Sequence, residues 1–115
     1  MKPTREQVEL AAKAAGLILN FTEEGLVFAH KKDCPVGDTV TREWLPATNK
    51  SDSFDLMVAC KIAPKIFDSI VIAQTLFFAK HQAKTEAWFS DHNNDKSRAT
   101  MWAIFLCAVE IGRAM

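Results

Sequence analysis

Residues 96–114 read KSRATMWAIFLCAVEIGRA, and their pattern is the clearest structural signal in the chain. The apolar residues recur at the i, i+3, i+4 spacing of one helix face. The inward stripe predicted in this way is Met101, Ile104, Phe105, Ala108 and Ile111, with Leu106 and Val109 widening it and Trp102 near its edge. Residues 90–95, SDHNND, form a strong breaker cluster just before this stretch. We therefore predict a long helix from about Lys96 to Ala114.

Residues 65–90, which precede the breaker cluster, predict β-structure. Lys84 to Ser90 alternates and resembles a returning strand, and Lys80 to Ala83 forms a turn. Lys65 to Phe78 is rich in Ile, Val and Phe and predicts at least one strand. A helix over Ser69–His81 is the alternative, because an apolar run of this length without internal turn signals is ambiguous.

A second helix is predicted over Asp52–Ile62. Asn49, Ser51 and Asp52 are all residue types that cap helix N-termini, and Pro64 would end the helix. The side chains expected to point inward are Phe54, Met57 and Val58, with Ala59 or Cys60.

The first thirty residues predict a helix followed by a hairpin. Thr4 and Gln7 have the spacing of a capping box, and Gly16 is a plausible C-terminal stop. Two short apolar runs, 17–21 and 26–30, flank a turn that contains Gly25. Residues 31–43 are the longest predicted loop.

The predicted element order is therefore α-β-β-α-β-β-α. We expect a single α+β domain over residues 1–115, with an antiparallel sheet of about four strands, in two hairpins, packed between helices.

Composition excludes several classes of protein. The 115 residues are 49% hydrophobic and 24% charged, which are globular values. Fourteen basic residues balance fourteen acidic ones, so a dedicated nucleic-acid binder is not expected. Three scattered cysteines, the polar N-terminal stretch and the lack of a long apolar run favour a cytoplasmic protein with no membrane segment. Common phosphate-loop and hydrolase motifs are missing, so neither an enzyme nor a cofactor is predicted.

Two groups of residues are candidates for binding. Trp44, Pro46 and Asn49, with Asp52 close behind, could form an exposed recognition ridge, since Trp is enriched in binding hot spots. The alternative is that Trp44 covers the core and the polar stretch only caps the second helix.

The second candidate group is aromatic and could stack a nucleotide base. Its members are His81, Trp88, His92 and Trp102. The alternative is that Trp88 and Trp102 pack against each other between sheet and helix. His30 and Cys34 have the H-x3-C spacing of two zinc ligands or of a nucleophile pair. Two such ligands are too few for a zinc site and nothing marks a third group for a nucleophile pair, so a flexible polar loop is the favoured interpretation and no metal is predicted.

Two segments resemble the phage ABA-sandwich proteins, small bacteriophage and prophage proteins that include the NinX-type proteins. One is Trp44, Pro46 and Thr48-Asn49, followed by Asp52 and Phe54. The other is 108–113, AVEIGR, at the end of the last helix. The resemblance implies a phage origin and a sheet between helices, and it implies no activity.

The expected function is that of a phage accessory protein that binds a host protein without catalysis. A defence component is the expected partner, and an anti-CRISPR inhibitor the specific form. Binding of a small ligand such as a nucleotide is the alternative. Self-association is also expected, because Leu76, Phe77 and Phe78 are consecutive and cannot all face one side of a strand.

Overall fold

Three helices and five strands make up the computed structural model, which describes residues 2–31, 43–77 and 79–115. In chain order they are α1 (Arg5–Ala15), β1 (Leu17–Phe21), β2 (Val27–Lys31), α2 (Lys50–Cys60), β3 (Ile62–Ile66), β4 (Ile70–Thr75), β5 (Lys84–Trp88) and α3 (Lys96–Ala114), with a short 3-10 helix at Phe89–His92. The fold is α+β, and the predicted order of helices and hairpins is confirmed, with one strand more than expected.

The strands form two antiparallel sheets instead of the single sheet that was predicted. One sheet contains β1 and β2, and the other has the order β3-β4-β5. Next to β2, the N–H of Trp44 donates to the carbonyl of Val27 at 2.7 Å. The segment around Trp44 therefore bonds to the first hairpin without forming a strand. Strands β3, β4 and β5 form their own sheet, which packs on α3.

Helix α1 begins and ends as predicted. The hydroxyl of Thr4 accepts from the N–H of Gln7 at 3.2 Å, and the Gln7 side chain accepts from the N–H of Thr4 at 3.0 Å. Gly16 ends the helix with φ 73°, a left-handed conformation that costs glycine little.

Helix α2 differs from its prediction in both bounds and orientation. It ends at Cys60 because Lys61 adopts a left-handed conformation, so Pro64 lies in β3 instead of ending a helix. Its buried side chains are Asp52, Ser53, Leu56 and Cys60. The predicted inward positions of Phe54 and Val58 are wrong, since these side chains are 60% and 59% exposed.

Residues 65–78 do not form one strand, and the alternative helix over Ser69–His81 is wrong. The chain reverses after Ile66, and β3 and β4 pair from Ile62↔Thr75 to Ile66↔Val71. Pro64 is compatible with β3 because this is an edge strand. Strand β4 ends at Thr75, so Leu76 and Phe77 lie outside it and Phe78 lies outside the described residues. The strand argument for self-association therefore fails.

Helix α3 is the centre of the core, as its sequence predicted. It contacts α1, α2 and all three strands of the second sheet. Its buried side chains include the five residues of the predicted inward stripe and Val109, whereas Leu106 and Trp102 are half-buried. On the sheet side, the hydroxyl of Thr85 donates to the carbonyl of Ala103 at 2.7 Å, tying β5 to the helix.

The first and last helices approach each other closely at Gly112. A Cβ atom added to Gly112 would clash with the backbone of Leu10, lying 2.8 Å from its carbonyl carbon. Ala11 and Ala108 are also fully buried. Small residues therefore let α1 and α3 pack backbone to backbone. Within the described ranges, no helix has the length and apolar character needed to cross a membrane.

Candidate functional site

The turn before α2 is buried scaffold. Trp44 is 7% exposed, and Pro46 and Ala47 are also buried. The carbonyl of Leu45 accepts from the N–H groups of Thr48 and Asn49 at 3.1 and 2.8 Å. An exposed ridge built on Trp44 and Pro46 is therefore not formed, and the alternative, in which Trp44 covers the core, is confirmed.

Asn49 and Asp52 fix the start of α2. The side-chain oxygen of Asn49 accepts from the N–H of Asp52 at 3.0 Å, as an N-cap does. The Asp52 carboxylate, which is buried, reaches back and accepts from the N–H of Leu45 at 2.9 Å. These two side chains hold the turn against the helix, and their bonded oxygens face the inside of the fold.

The predicted aromatic group is divided between two faces of the second sheet. Trp88 is 50% exposed and lies on the face opposite α3, as does Ile70, which it pairs with. Trp102 lies on α3, with its ring 5.5 Å from the ring of Phe105 and 6.2 Å from that of His92. The expected packing of Trp88 against Trp102 is therefore wrong, and His92 and Trp102 alone come together.

His92 and Trp102 border a small cavity of about 160 Å³, which we call the His92 pocket. Three segments build it: the turn before α2, the 3-10 helix with its cap Asn93, and the first turns of α3. Its lining residues are Ala47, Thr48, Asp91, His92, Asn93, Arg98 and Trp102. No pattern in the sequence predicts that Thr48 and Arg98 lie here, because the two are fifty residues apart and only the fold joins them.

His92 is the most unusual side chain of this pocket. It is 7% exposed, and its Nε2 atom has no hydrogen-bond partner among the described residues. Burial lowers the pKa of His92, so the imidazole is neutral at pH 7. A buried nitrogen left unsatisfied costs about 1–3 kcal/mol, which a bound polar group would recover.

The charges around the pocket are mixed. Arg98 has no ion pair with a carboxylate in the part of the chain that the structure describes, and its guanidinium is a strong donor for anions. Asp91 also lines the pocket, and its negative charge would repel an anion. A cavity of this size is smaller than the roughly 300–1,000 Å³ typical of drug-sized ligands. It suits a group the size of a phosphoryl or carboxylate.

The cysteines of the core are unreactive in this fold. Cys60 and Cys107 are both buried, and burial raises the pKa of each to about 11. Their thiols therefore stay protonated at neutral pH. Cys34 of the predicted His30–Cys34 pair lies outside the described residues. Within the described ranges, no three His, Cys, Asp or Glu side chains are placed to hold a metal ion.

Comparisons with protein-family models, curated proteins and solved structures found no match to this chain.

Proposed function

We propose that this protein acts without catalysis, by binding another protein through the outer face of α2. The observation that carries the proposal is the exposure of Phe54 and Val58, at 60% and 59%. These side chains are four residues apart and so lie on one helix face. Soluble helices normally turn such residues inward, and exposed apolar pairs of this kind mark interaction surfaces.

The α2 face has the composition of a small interface. Lys50, Ser51 and Asp55 are exposed around the apolar pair and supply a polar rim. Burying a Phe or Val side chain completely contributes about 1.5–3 kcal/mol. With about 60% of each still exposed, the pair offers roughly 2–4 kcal/mol to a partner. An amphipathic helix that enters an apolar groove is a common recognition mode.

The resemblance to NinX-type phage proteins suggests the class of partner. On this basis we propose that the partner is a protein of the infected or lysogenic bacterium and that the chain acts in its cytoplasm. We propose a defence component as the partner and inhibition of CRISPR interference as the effect. This choice rests on biological analogy rather than on particular residues.

The test compares three tagged proteins in pull-downs from host lysate: wild type, Phe54→Ser/Val58→Ser, and the control Glu24→Ala, whose side chain is exposed in the turn of the first hairpin. All three should keep the same melting temperature, because the changed side chains are exposed. We expect one stoichiometric partner with the wild type and the control, and its loss with the double variant. Phage plating on a CRISPR-proficient host should change in parallel. A partner retained by the double variant, or no partner together with unchanged plating, would refute the proposal.

A second function, binding of a small phosphorylated ligand such as a nucleotide, is supported by the His92 pocket. His92, whose Nε2 atom is unsatisfied, and Arg98, whose guanidinium is a strong donor for anions, both line this cavity. Its volume accommodates the phosphoryl group of a nucleotide but not the base as well. The base would then lie outside the cavity.

Titration followed by NMR distinguishes this second function. Inorganic phosphate and AMP are added separately to the wild type, to Arg98→Gln and to the control Arg113→Gln. We expect saturable shifts in the wild type and control at residues 91–98, and a loss of at least tenfold in affinity with Arg98→Gln. Shifts that fail to saturate, or that persist unchanged in Arg98→Gln, would eliminate the ligand function.

A further inference from the structure

The face of the second sheet that points away from α3, which we call the open face, carries an ordered set of side chains. Val71, Ala73 and Ala87 alternate with this set and are buried on the α3 side. The pairing of β3, β4 and β5 arranges the open face in three rows. The rows are Phe67–Ile70–Trp88, then Lys65–Ile72–Glu86, then Ala63–Gln74–Lys84.

The first row is apolar and partly uncovered. Phe67 and Trp88 are 51% and 50% exposed, and Ile70 between them is half-buried. The N–H of Phe67 donates to the carbonyl of Ile70 at 2.9 Å, which places Phe67 beside Ile70 on this face. The second row has a basic residue at one edge and an acidic residue at the other, with Ile72 between them. Both charged side chains are exposed.

We propose that a second copy of this chain covers the open face, with a twofold axis parallel to β4. Such an axis exchanges the two edges of the sheet and keeps each row at its own level. β3 of one subunit then lies over β5 of the other, and β4 lies over its own copy. A face-to-face arrangement with nearly aligned strands is a common way for two sheets to pack.

The rows complement each other under this axis. Lys65 lies over Glu86 of the partner subunit, and the symmetry repeats this opposite-charge contact. Phe67 lies over Trp88 of the partner subunit, which also occurs twice. Ile70 and Ile72 meet their own copies at the centre. Contacts between aromatic rings and between opposite charges across the two open faces are favourable.

The other in-plane axis, perpendicular to the strands, gives the opposite result. With the second row at the axis, Lys65 would meet Lys65 and Glu86 would meet Glu86, and like charges in direct opposition are destabilising. The distribution of charge therefore selects the axis parallel to β4, under which the open face is complementary to its own copy.

The area of the open face indicates a weak dimer. Three strands spaced about 4.8 Å apart, each about 17–20 Å long, give a footprint of about 300 Å². Such an interface is smaller than the roughly 800 Å² per partner of stable complexes. We therefore expect self-association that is weak and depends on protein concentration.

Sedimentation equilibrium from about 10 µM to 1 mM tests the dimer through charge reversal. The variants are Lys65→Glu, Glu86→Lys and the two changes combined, and the control is Glu24→Lys in the turn of the first hairpin. Within one subunit the two side chains lie two strand spacings apart, so each reversal should leave the melting temperature nearly unchanged.

We expect each single reversal to weaken self-association at least tenfold and the double reversal to restore it. The control should associate like the wild type. A wild-type protein that stays monomeric at 1 mM overturns the proposal. A double variant that is as monomeric as the single variants overturns the proposed axis.

Discussion

Replacing Gly112 with alanine tests the packing of α1 against α3. The new Cβ atom would clash with the Leu10 backbone, because it would lie only 2.8 Å from the Leu10 carbonyl carbon. Ordinary contacts require about 3.5–4.0 Å, so the helices would have to separate by about 1 Å. A gap of this size loses a quarter to a half of the attraction in the contacts that it opens.

The expected magnitude follows from two opposing effects. Overpacking of this kind costs about 1–3 kcal/mol, and here the obstacle is backbone that cannot change rotamer. Alanine is preferred over glycine inside a helix by about 1 kcal/mol, which offsets part of the cost. The rigid backbone obstacle puts the overpacking cost at the upper end of its range, about 2–3 kcal/mol, so we expect a net loss of about 1–2 kcal/mol. For a chain of this length that corresponds to a melting temperature about 3–12 °C lower.

The assay is thermal unfolding followed by circular dichroism, with urea unfolding as a second measure. Glu110→Ala is the matched control, since Glu110 is exposed on the same helix and, among the residues that the structure describes, its ion pair is a surface contact with Arg113. Its effect should stay within about 0.5 kcal/mol. If Gly112→Ala matched or exceeded the wild type in stability, the close approach of the two helices would be refuted.

Three further predictions concern buried polar and titratable groups. Asp52→Ala leaves the Leu45 N–H without its 2.9 Å acceptor and should cost about 1–3 kcal/mol in urea unfolding; a loss no larger than that of Asp55→Ala would contradict this role. Because burial lowers the pKa of His92 below 6.5, the unfolded chain binds its proton more readily. The contribution of His92 to stability is complete above pH 6.5 and declines as the pH falls through the lowered value; an NMR titration showing a His92 pKa at or above 6.5 would refute this. The raised pKa values of Cys60 and Cys107, about 11 against 9.0, mean that the unfolded chain loses these protons first. The contribution of the two buried thiols to stability is therefore complete below pH 9 and is lost as the pH rises through about 11. Rapid reaction of both thiols with a disulfide reagent at pH 8 would contradict their burial as protonated thiols.

The elements with strong local signals were predictable from the sequence. The capping box at Thr4, the stop at Gly16 and the long stripe of α3 all depend on contacts within a few residues. These signals survive in the fold because nothing distant competes with them. The first hairpin was found for the same reason, with Gly25 at φ 87° in its turn.

The orientation of α2 was not predictable in the same way. Two stripes compete in this helix, and the one containing Ser53, Leu56 and Cys60 faces the core. Phe54 and Val58 looked more suitable because they are larger and more apolar. Asp52 favours the observed orientation, because its carboxylate bonds to the Leu45 N–H and so links the helix to the preceding turn. That bond is visible only once the turn itself is folded.

The candidate site was only partly accessible from sequence. His92 and Trp102 belonged to the predicted aromatic group, but the pocket also needs Thr48 and Arg98. Those two residues come from opposite halves of the chain, and no spacing rule relates them. The β3–β4 turn was missed because it is two residues long, Asp68-Ser69, and contains neither glycine nor proline.

The backbone contact between Leu10 and Gly112 joins residues a hundred positions apart, and this has a consequence during synthesis. At about 5–20 residues per second, roughly 5–20 s separate the translation of the two positions. Through that interval α1 has no partner in α3, and an isolated helix of eleven residues is marginal in water. The face of α1 that is buried in the folded protein carries Ala11 and Ala12. Because these side chains are small, they expose little apolar area before α3 is synthesised. Small residues at this contact would therefore also limit premature association on the ribosome.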